Sequence, residues 1–481
     1  MSGEQPERSR SERSSVWRKV GPRGLASVIL RAVLAGEGKV REKLASQLPE
    51  ANLAPRDAGL VTELCYGVVR RKRTLDTILS HLSSRPLDQI EDDILTQLRM
   101  GAYQLIYMAS PAHAAVNESV AALSNEGSRG FVNAILRRLV RAMDRRTEEE
   151  PADVPRPRLL PLGEGWLVFK ESVLPAKPDS WRAATLGLPK SLVKRLEAQL
   201  GPSEADRVAA LFNRTPVQGL RVNLLRTTRP ALIAKLAESG IEAEPDEDPE
   251  GLIVRSGGHL AGHPAFAAGE FTIQDRTARG VARFVDPQPG ERILDLCAAP
   301  GGKSGHLAEL SGDQATIIAA DSHAGRLQRV GAVIHRLALT SISIQTLDSV
   351  FADEEDFDRV LVDVPCSNTG VVRRRVELRH RLPSLDRAEL GATQLEILEN
   401  GFSLVKPGGV LIYSTCSIDR EENEDRVAAF VASSPDAVLE EERLTLPDET
   451  CDGGYVARIR RSAEAEPGGP MAAEDREALG G

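Results

Sequence analysis

The chain has 481 residues, 41% of them apolar and 27% charged, with a formal net charge of −9. That length exceeds one ordinary core, and the composition is that of a water-soluble globular protein with several domains. No apolar run approaches the roughly 18 residues that span a bilayer, the polar start MSGEQPERSRSERSS has no signal-like apolar stretch, and five cysteines without a C-x-x-C pair give neither a disulfide framework nor a zinc site.

In chain order, residues 1–15 read as a disordered lead. From 16 to 146 the pattern is helical: SVILRAVL, AGLVTELCYGVV, TLDTILSHL, DDILTQLRMGAYQLIYM, VNESVAALS and GFVNAILRRLVRAM place apolar residues three and four apart. This segment holds 20 Lys+Arg against 13 Asp+Glu, whereas the chain beyond it is acidic. Such an asymmetry is expected of a first domain that meets an anionic partner, although the helical pattern alone would also suit a structural or dimerising module. Residues 147–189 are a Pro-rich linker by composition. Residues 190–270 read as a small α+β domain, with EAEPDEDPE as a solvated connection. From 271 to 461 apolar strands alternate with amphipathic helices, which predicts a Rossmann-like, doubly wound, mainly parallel sheet with ligands at the strands' carboxyl ends. Residues 462–481 form a disordered tail. The fold class is multidomain, α plus α/β.

The first strand of that last domain runs into Cys297-Ala298-Ala299-Pro300-Gly301-Gly302-Lys303, a turn whose small residues let the backbone approach a ligand closely. It is not G-x-G-x-x-G, and its proline lacks the N–H that a pyrophosphate would want, so an adenosyl ligand without phosphates fits better. Asp321 ends the second strand, where a carboxylate can accept both ribose hydroxyls, although many such residues only cap the next helix. Asp348 ends the third and could accept from an adenine amino group; Asp363 ends the fourth. With Asp295 these carboxylates suit a cationic sulfonium, and S-adenosylmethionine is the expected cofactor.

Two thiols, Cys366 in DVPCSNTG and Cys416 in YSTCSIDREENE, lie at the ends of the fourth and a later strand. One alone would be a small buried filler. Two in one cleft point to covalent catalysis, because thiolate addition at C6 of cytosine turns C5 into an enamine carbon able to attack a methyl sulfonium. Asp363 is the nearby acid expected to stabilise a proton on N3.

DLCAAPGGK, DRVLVDVPCSNTG and GGVLIYSTCSIDREENE, with FTIQDRTA and DGGYVARIRR flanking them, resemble the signature segments of the RNA 5-methylcytosine methyltransferases of the RsmB/Nop/Sun group. The resemblance implies that Cys416 is the nucleophile and that Cys366 promotes product release. It also implies that Cys297 to Lys303, Asp321, Arg326, Asp348 and Asp363 hold the cofactor, and that Lys303 reaches the target base. LCYGVVRRKRTLD, RMGAYQLIYM, PAHAAVNESV and GFVNAILRRLVR resemble the NusB-like RNA-binding domain of the family's bacterial small-subunit members. That implies 16S ribosomal RNA as substrate, with Arg70, Arg71, Lys72, Arg73, Arg137 and Arg138 as phosphate contacts; the few unpaired cysteines and the lack of an apolar span give a cytoplasmic protein with no metal and no membrane segment, expected to be a monomer. Where the family continues with a His-Pro pair after Thr369-Gly370-Val371, this chain has Arg373-Arg374-Arg375-Val376-Glu377. The rival readings are action on a transfer RNA or 23S RNA, a DNA cytosine-C5 methyltransferase with Cys366 as nucleophile, and a catalytically idle assembly factor.

Overall fold

The computed structural model describes residues 10–352 and 356–463. The expected lead falls mostly, and the tail almost wholly, outside them, though residues 10–15 already belong to a helix. The described chain forms two compact units. One comprises the chain up to Thr215 together with Val372–Ser384; the other comprises Pro216–Val371 and the chain from Leu385.

The first unit is built on six helices, Arg10–Leu34, Val40–Ala51, Pro55–Leu82, Asp92–Ile106, Ala112–Ala121 and Glu126–Ala142. The first is broken at Gly21, whose φ of 68° only glycine adopts easily, just before Pro22. Asp92–Ile106 is the axis of the bundle: every side chain from Ile94 to Ile106 is buried. Its polar members are satisfied, Gln97 by Ser27 and Arg99 by both carboxylate oxygens of Asp76 at 2.6 and 2.9 Å. Burial of polar groups is tolerated here because each finds a partner.

The stretch expected to be a linker, 147–189, is folded. Strands β1 (Met143–Thr147), β2 (Leu159–Pro161) and β3 (Trp166–Phe169) pair antiparallel in the order β1-β3-β2, and the helix Pro178–Leu186 follows. The prolines that suggested a linker sit where a fold accepts them, Pro161 at a strand end and Pro178 at a helix start. Leu160, Leu167, Phe169, Val173, Leu174 and Trp181 are buried in the helical core. Helices Lys190–Leu200 and Pro202–Leu211, expected in the middle domain, belong to this unit.

In the second unit, β4 (Gln218–Val222), β5 (Glu242–Pro245), β6 (Gly251–Ser256) and β7 (Phe271–Ile273) form an antiparallel sheet, β5-β6-β4-β7. Two expectations therefore change. Phe271, expected to open the catalytic domain, is the start of the small sheet's edge strand. The acidic segment expected to be solvated supplies β5 and then the partners of the helix Arg276–Val285. The fully buried Arg279 pairs with Asp246 and, at 3.1 Å, Asp248, while Arg283 meets Glu250 at 2.7 Å. Arg276, Arg279 and Arg283 all meet carboxylates of this segment, and the buried Arg279 guanidinium would be very costly without them.

The larger sheet contains β8 (Arg292–Asp295), β9 (Thr316–Ala320), β10 (Ile342–Gln345), β11 (Phe357–Asp363), β12 (Val405–Thr415), β13 (Ala437–Thr445) and β14 (Gly454–Arg461). Its order is β10-β9-β8-β11-β12-β14-β13, the first five strands parallel and β14 antiparallel to both of its neighbours, β12 and β13. Alternate residues feed two cores: Leu294, Ile318, Val360, Val362 and Leu411 on one face, Ile293, Ile317, Leu361 and Ile412 on the other. Such strands, apolar on both faces, are those of a parallel sheet covered on both sides. The order reverses between β8 and β11, which opens a crevice at their carboxyl ends.

Candidate active site

β8 ends at Asp295, whose carboxylate is buried in the turn: Oδ2 accepts from Ser304 Oγ at 2.7 Å and Oδ1 has no protein partner. Burial pushes this acid up to about 7, so near neutral pH it is substantially protonated. Next comes the turn Cys297–Gly302. Gly301 has φ 100°, and a Cβ there would sit 3.1 Å from Val330 Cα, so glycine is required by both conformation and space. A Cβ on Gly302 would meet nothing within 4 Å, so one side of the turn stays open to a ligand.

Asp321, at the end of β9, is buried; it accepts from Ala299 N at 3.3 Å and His323 N at 3.1 Å and pairs with exposed Arg326 at 3.3 Å. Asp348 lies, exposed, in the first turn of the short helix after β10. Asp363 ends β11, its Oδ1 accepting from Ser414 Oγ at 2.7 Å and its Oδ2 from Lys303 Nζ at 2.5 Å. Burial draws the Lys303 ammonium down, but the Asp363 carboxylate more than offsets this and holds it above the usual lysine value. Asp363 is thus ion-paired to Lys303, at 2.5 Å.

Beyond Asp363 and Thr415 the chain turns into two loops that bring the thiols together: Cys366 Sγ lies 3.4 Å from Cys416 Sγ. Cys416 also contacts Asn368 Oδ1 at 3.1 Å. The Cys366 thiol is pushed well above its usual range, first by its hydrogen bond to the Cys416 sulfur and then by burial.

A buried polar network, missed by the reading of the sequence, holds these loops. Glu422 accepts from Ser367 N at 2.7 Å, Ser417 Oγ at 3.0 Å and Gln394 Nε2 at 3.1 Å, and also from Ser367 Oγ. Thr369 Oγ1 accepts from Ile418 N at 3.0 Å, and Asn423 joins Thr415 Oγ1 at 2.6 Å. Gly370 N donates to Cys416 O at 3.0 Å, and a Cβ on Gly370 would lie 2.3 Å from Gly453 O. The only signal in the sequence was the density of small polar residues in SNTG and SIDREENE after apolar strands.

The helical unit corrects part of the expected RNA contacts. Arg70 and Arg71 are buried; Arg71 donates to Thr185 O and stacks over Tyr107, so neither guanidinium is presented to a phosphate. Lys72 pairs with Asp76 at 3.0 Å, and Arg73 is half-buried. Arg137 and Arg138 are exposed. Among the described residues no His, Cys, Asp and Glu cluster is able to hold a metal, and no helix is long and apolar enough to cross a membrane.

A doubly wound sheet with a small-residue turn after its first strand, carboxylates at the next strand ends and no phosphate cradle defines a Rossmann-like methyltransferase, whose cofactor is S-adenosylmethionine. The sequence pattern of the family described as 16S rRNA methyltransferase RsmB/F matches residues 282–458, that of the NusB family 21–141, and that of a ferredoxin-like domain of RsmF/B-like methyltransferases 188–260. The chain is 36% identical over 429 residues to the Synechocystis protein named "probable ribosomal RNA small subunit methyltransferase B", covering 87% of this chain and 90% of that one. It is 34% identical over 435 residues to the ribosomal RNA small subunit methyltransferase B of Salmonella newport, covering 87% and 94%. The crystal structure of PH0851 superposes with a TM-score of 0.72 over 92% of this chain and 99% of that one, a likeness of fold at 22% identity. The chain belongs to the ribosomal RNA small subunit methyltransferase B family.

Proposed function

We propose that this protein transfers a methyl group from S-adenosylmethionine to C5 of a cytosine in 16S ribosomal RNA, through a covalent bond between Cys416 and C6. The observation that carries the reading is the contact between two thiols, Cys366 and Cys416, 3.4 Å apart at the carboxyl ends of neighbouring strands of a methyltransferase sheet. The fit of the cofactor rests on the open side of Gly302, on Asp321 and Asp363 at strand ends, and on Asp348 in the helix that follows β10. Bound there, it supplies an electrophilic methyl group.

Cys416 adds to C6. Lys303, charged and fixed by Asp363, stabilises the negative charge that the addition pushes into the ring. After C5 has taken the methyl group, its proton must leave and the C6–S bond must break. Cys366 passes its proton to the departing Cys416 sulfur and takes up the proton lost from C5, so that both thiols are restored. Exposed Arg137 and Arg138 remain as phosphate contacts.

Incubation with RNA and cofactor, followed by a denaturing gel, tests this. Cys416→Ala gives no methylated RNA and no adduct, whereas Cys366→Ala accumulates a protein-RNA adduct. An adduct persisting in Cys416→Ala overturns the assignment. Bisulfite mapping of ribosomal RNA from cells lacking the protein identifies the cytosine.

A further inference from the structure

We infer that Cys366 and Cys416 are also a site of reversible oxidative modification, closing to a disulfide when a peroxide reaches the cleft. The loss of activity it predicts rests on the proposed function; the chemistry itself rests on geometry alone. The two sulfurs, 3.4 Å apart, need to approach by only about 1.4 Å to reach bonding distance. They stand at the ends of the adjacent parallel strands β11 and β12, where Asp363 pairs with Ser414. The residues following each are tied together, Ser367 Oγ lying 3.1 Å from Ser417 Oγ. Closure therefore requires side-chain movement rather than unfolding.

Reach and reactivity single out this pair among the five cysteines. Cys65 and Cys451 are buried, at 0% and 1% exposure. Cys297 is half-buried, but burial and then the charges of Asp363, Asp295 and Asp321 keep its thiol protonated. Cys366 and Cys416 are half-buried as well, but they alone among the five touch each other, and the Lys303 charge, which interacts with Cys416, favours a thiolate there.

The electrons balance with hydrogen peroxide as oxidant. The Cys416 thiolate attacks one peroxide oxygen, the O–O bond breaks, and the departing hydroxide takes a proton to leave as water. The Cys366 sulfur then attacks the resulting sulfenic acid; the S–S bond forms, the S–O bond breaks, and the Cys366 proton leaves with the hydroxyl as a second water. A dithiol reductant returns both thiols.

The test treats the full-length protein with hydrogen peroxide and measures intact mass, linked peptides and methyl transfer before and after dithiothreitol. Expected are loss of two hydrogens, a peptide pair joined through Cys366 and Cys416, an activity loss of about tenfold or more, and recovery on reduction. Cys366→Ser, which keeps a hydrogen-bonding group of similar size, should instead carry sulfinic acid on Cys416 that dithiothreitol does not reverse. Sulfinic acid on Cys416 of the natural chain with no linked peptide overturns the inference. If untreated protein methylates no RNA but the linked peptide still forms, the proposed function fails and the modification site stands.

Discussion

At the residue scale, Lys303 and Asp363 carry the clearest division of labour. A salt bridge at 2.5 Å in a cleft keeps the lysine charged at any pH at which the enzyme would work, because its pKa is already raised above that of free lysine. Lys303→Met should lower the single-turnover rate of methyl transfer about 100-fold, the usual scale for one positioned proton donor, while cofactor affinity changes less than tenfold. An equal loss in both would make the lysine a cofactor ligand instead. Asp321 has the converse role. Two of its contacts are to backbone N–H groups of the cleft, and Asp321→Ala should raise the KM for S-adenosylmethionine about tenfold or more, with kcat less affected.

At the scale of elements, the two thiol loops depend on Glu422. Four groups from Ser367, Ser417 and Gln394 donate to one buried carboxylate, and Glu422→Ala would leave several donors without an acceptor. Loss of about 2–3 kcal/mol in urea unfolding of the second unit is expected from stranding such groups, with a larger fractional fall in methyl transfer than in cofactor binding. Unchanged stability would show that the network contributes no net energy. This network also marks the limit of what the sequence disclosed. The strands and the turn Cys297–Gly302 were legible because apolar runs and glycines report local geometry. The pairing of Cys366 with Cys416 was legible because both fall just beyond strand ends. Glu422 and Gln394 were not, since their partners lie 55 and 28 residues away in sequence, and nothing local distinguishes a buried acceptor from a solvated one. The same blindness turned 147–189 into a linker and placed Arg70 on the surface: proline content and charge are composition, whereas burial is set by what packs above.

At the scale of the whole molecule, Trp166 and Trp181 are packed in the core of the first unit and the second unit has no tryptophan, so tryptophan fluorescence follows the first unit's unfolding. His380, carried in the returning segment Val372–Ser384, places Nε2 2.9 Å from Val69 O and titrates at about 4, held down mainly by burial, with Lys72 and Arg379 adding repulsion. An unfolded histidine titrates near 6.5. Between these values the unfolded chain binds a proton that the native unit refuses, so acid draws the equilibrium towards unfolding and stability rises with pH. Glu377, pushed up by burial, works in the opposite sense and obscures the effect in the natural protein alone. The comparison with His380→Gln removes that ambiguity. Glutamine can still donate to Val69 O but does not titrate, so as pH falls from 6.5 to 4 the natural chain should lose stability relative to the variant by about 1.4 kcal/mol per pH unit. A difference constant across that range would mean that His380 becomes charged in the folded unit, and the packing of Val372–Ser384 around it would have to admit water.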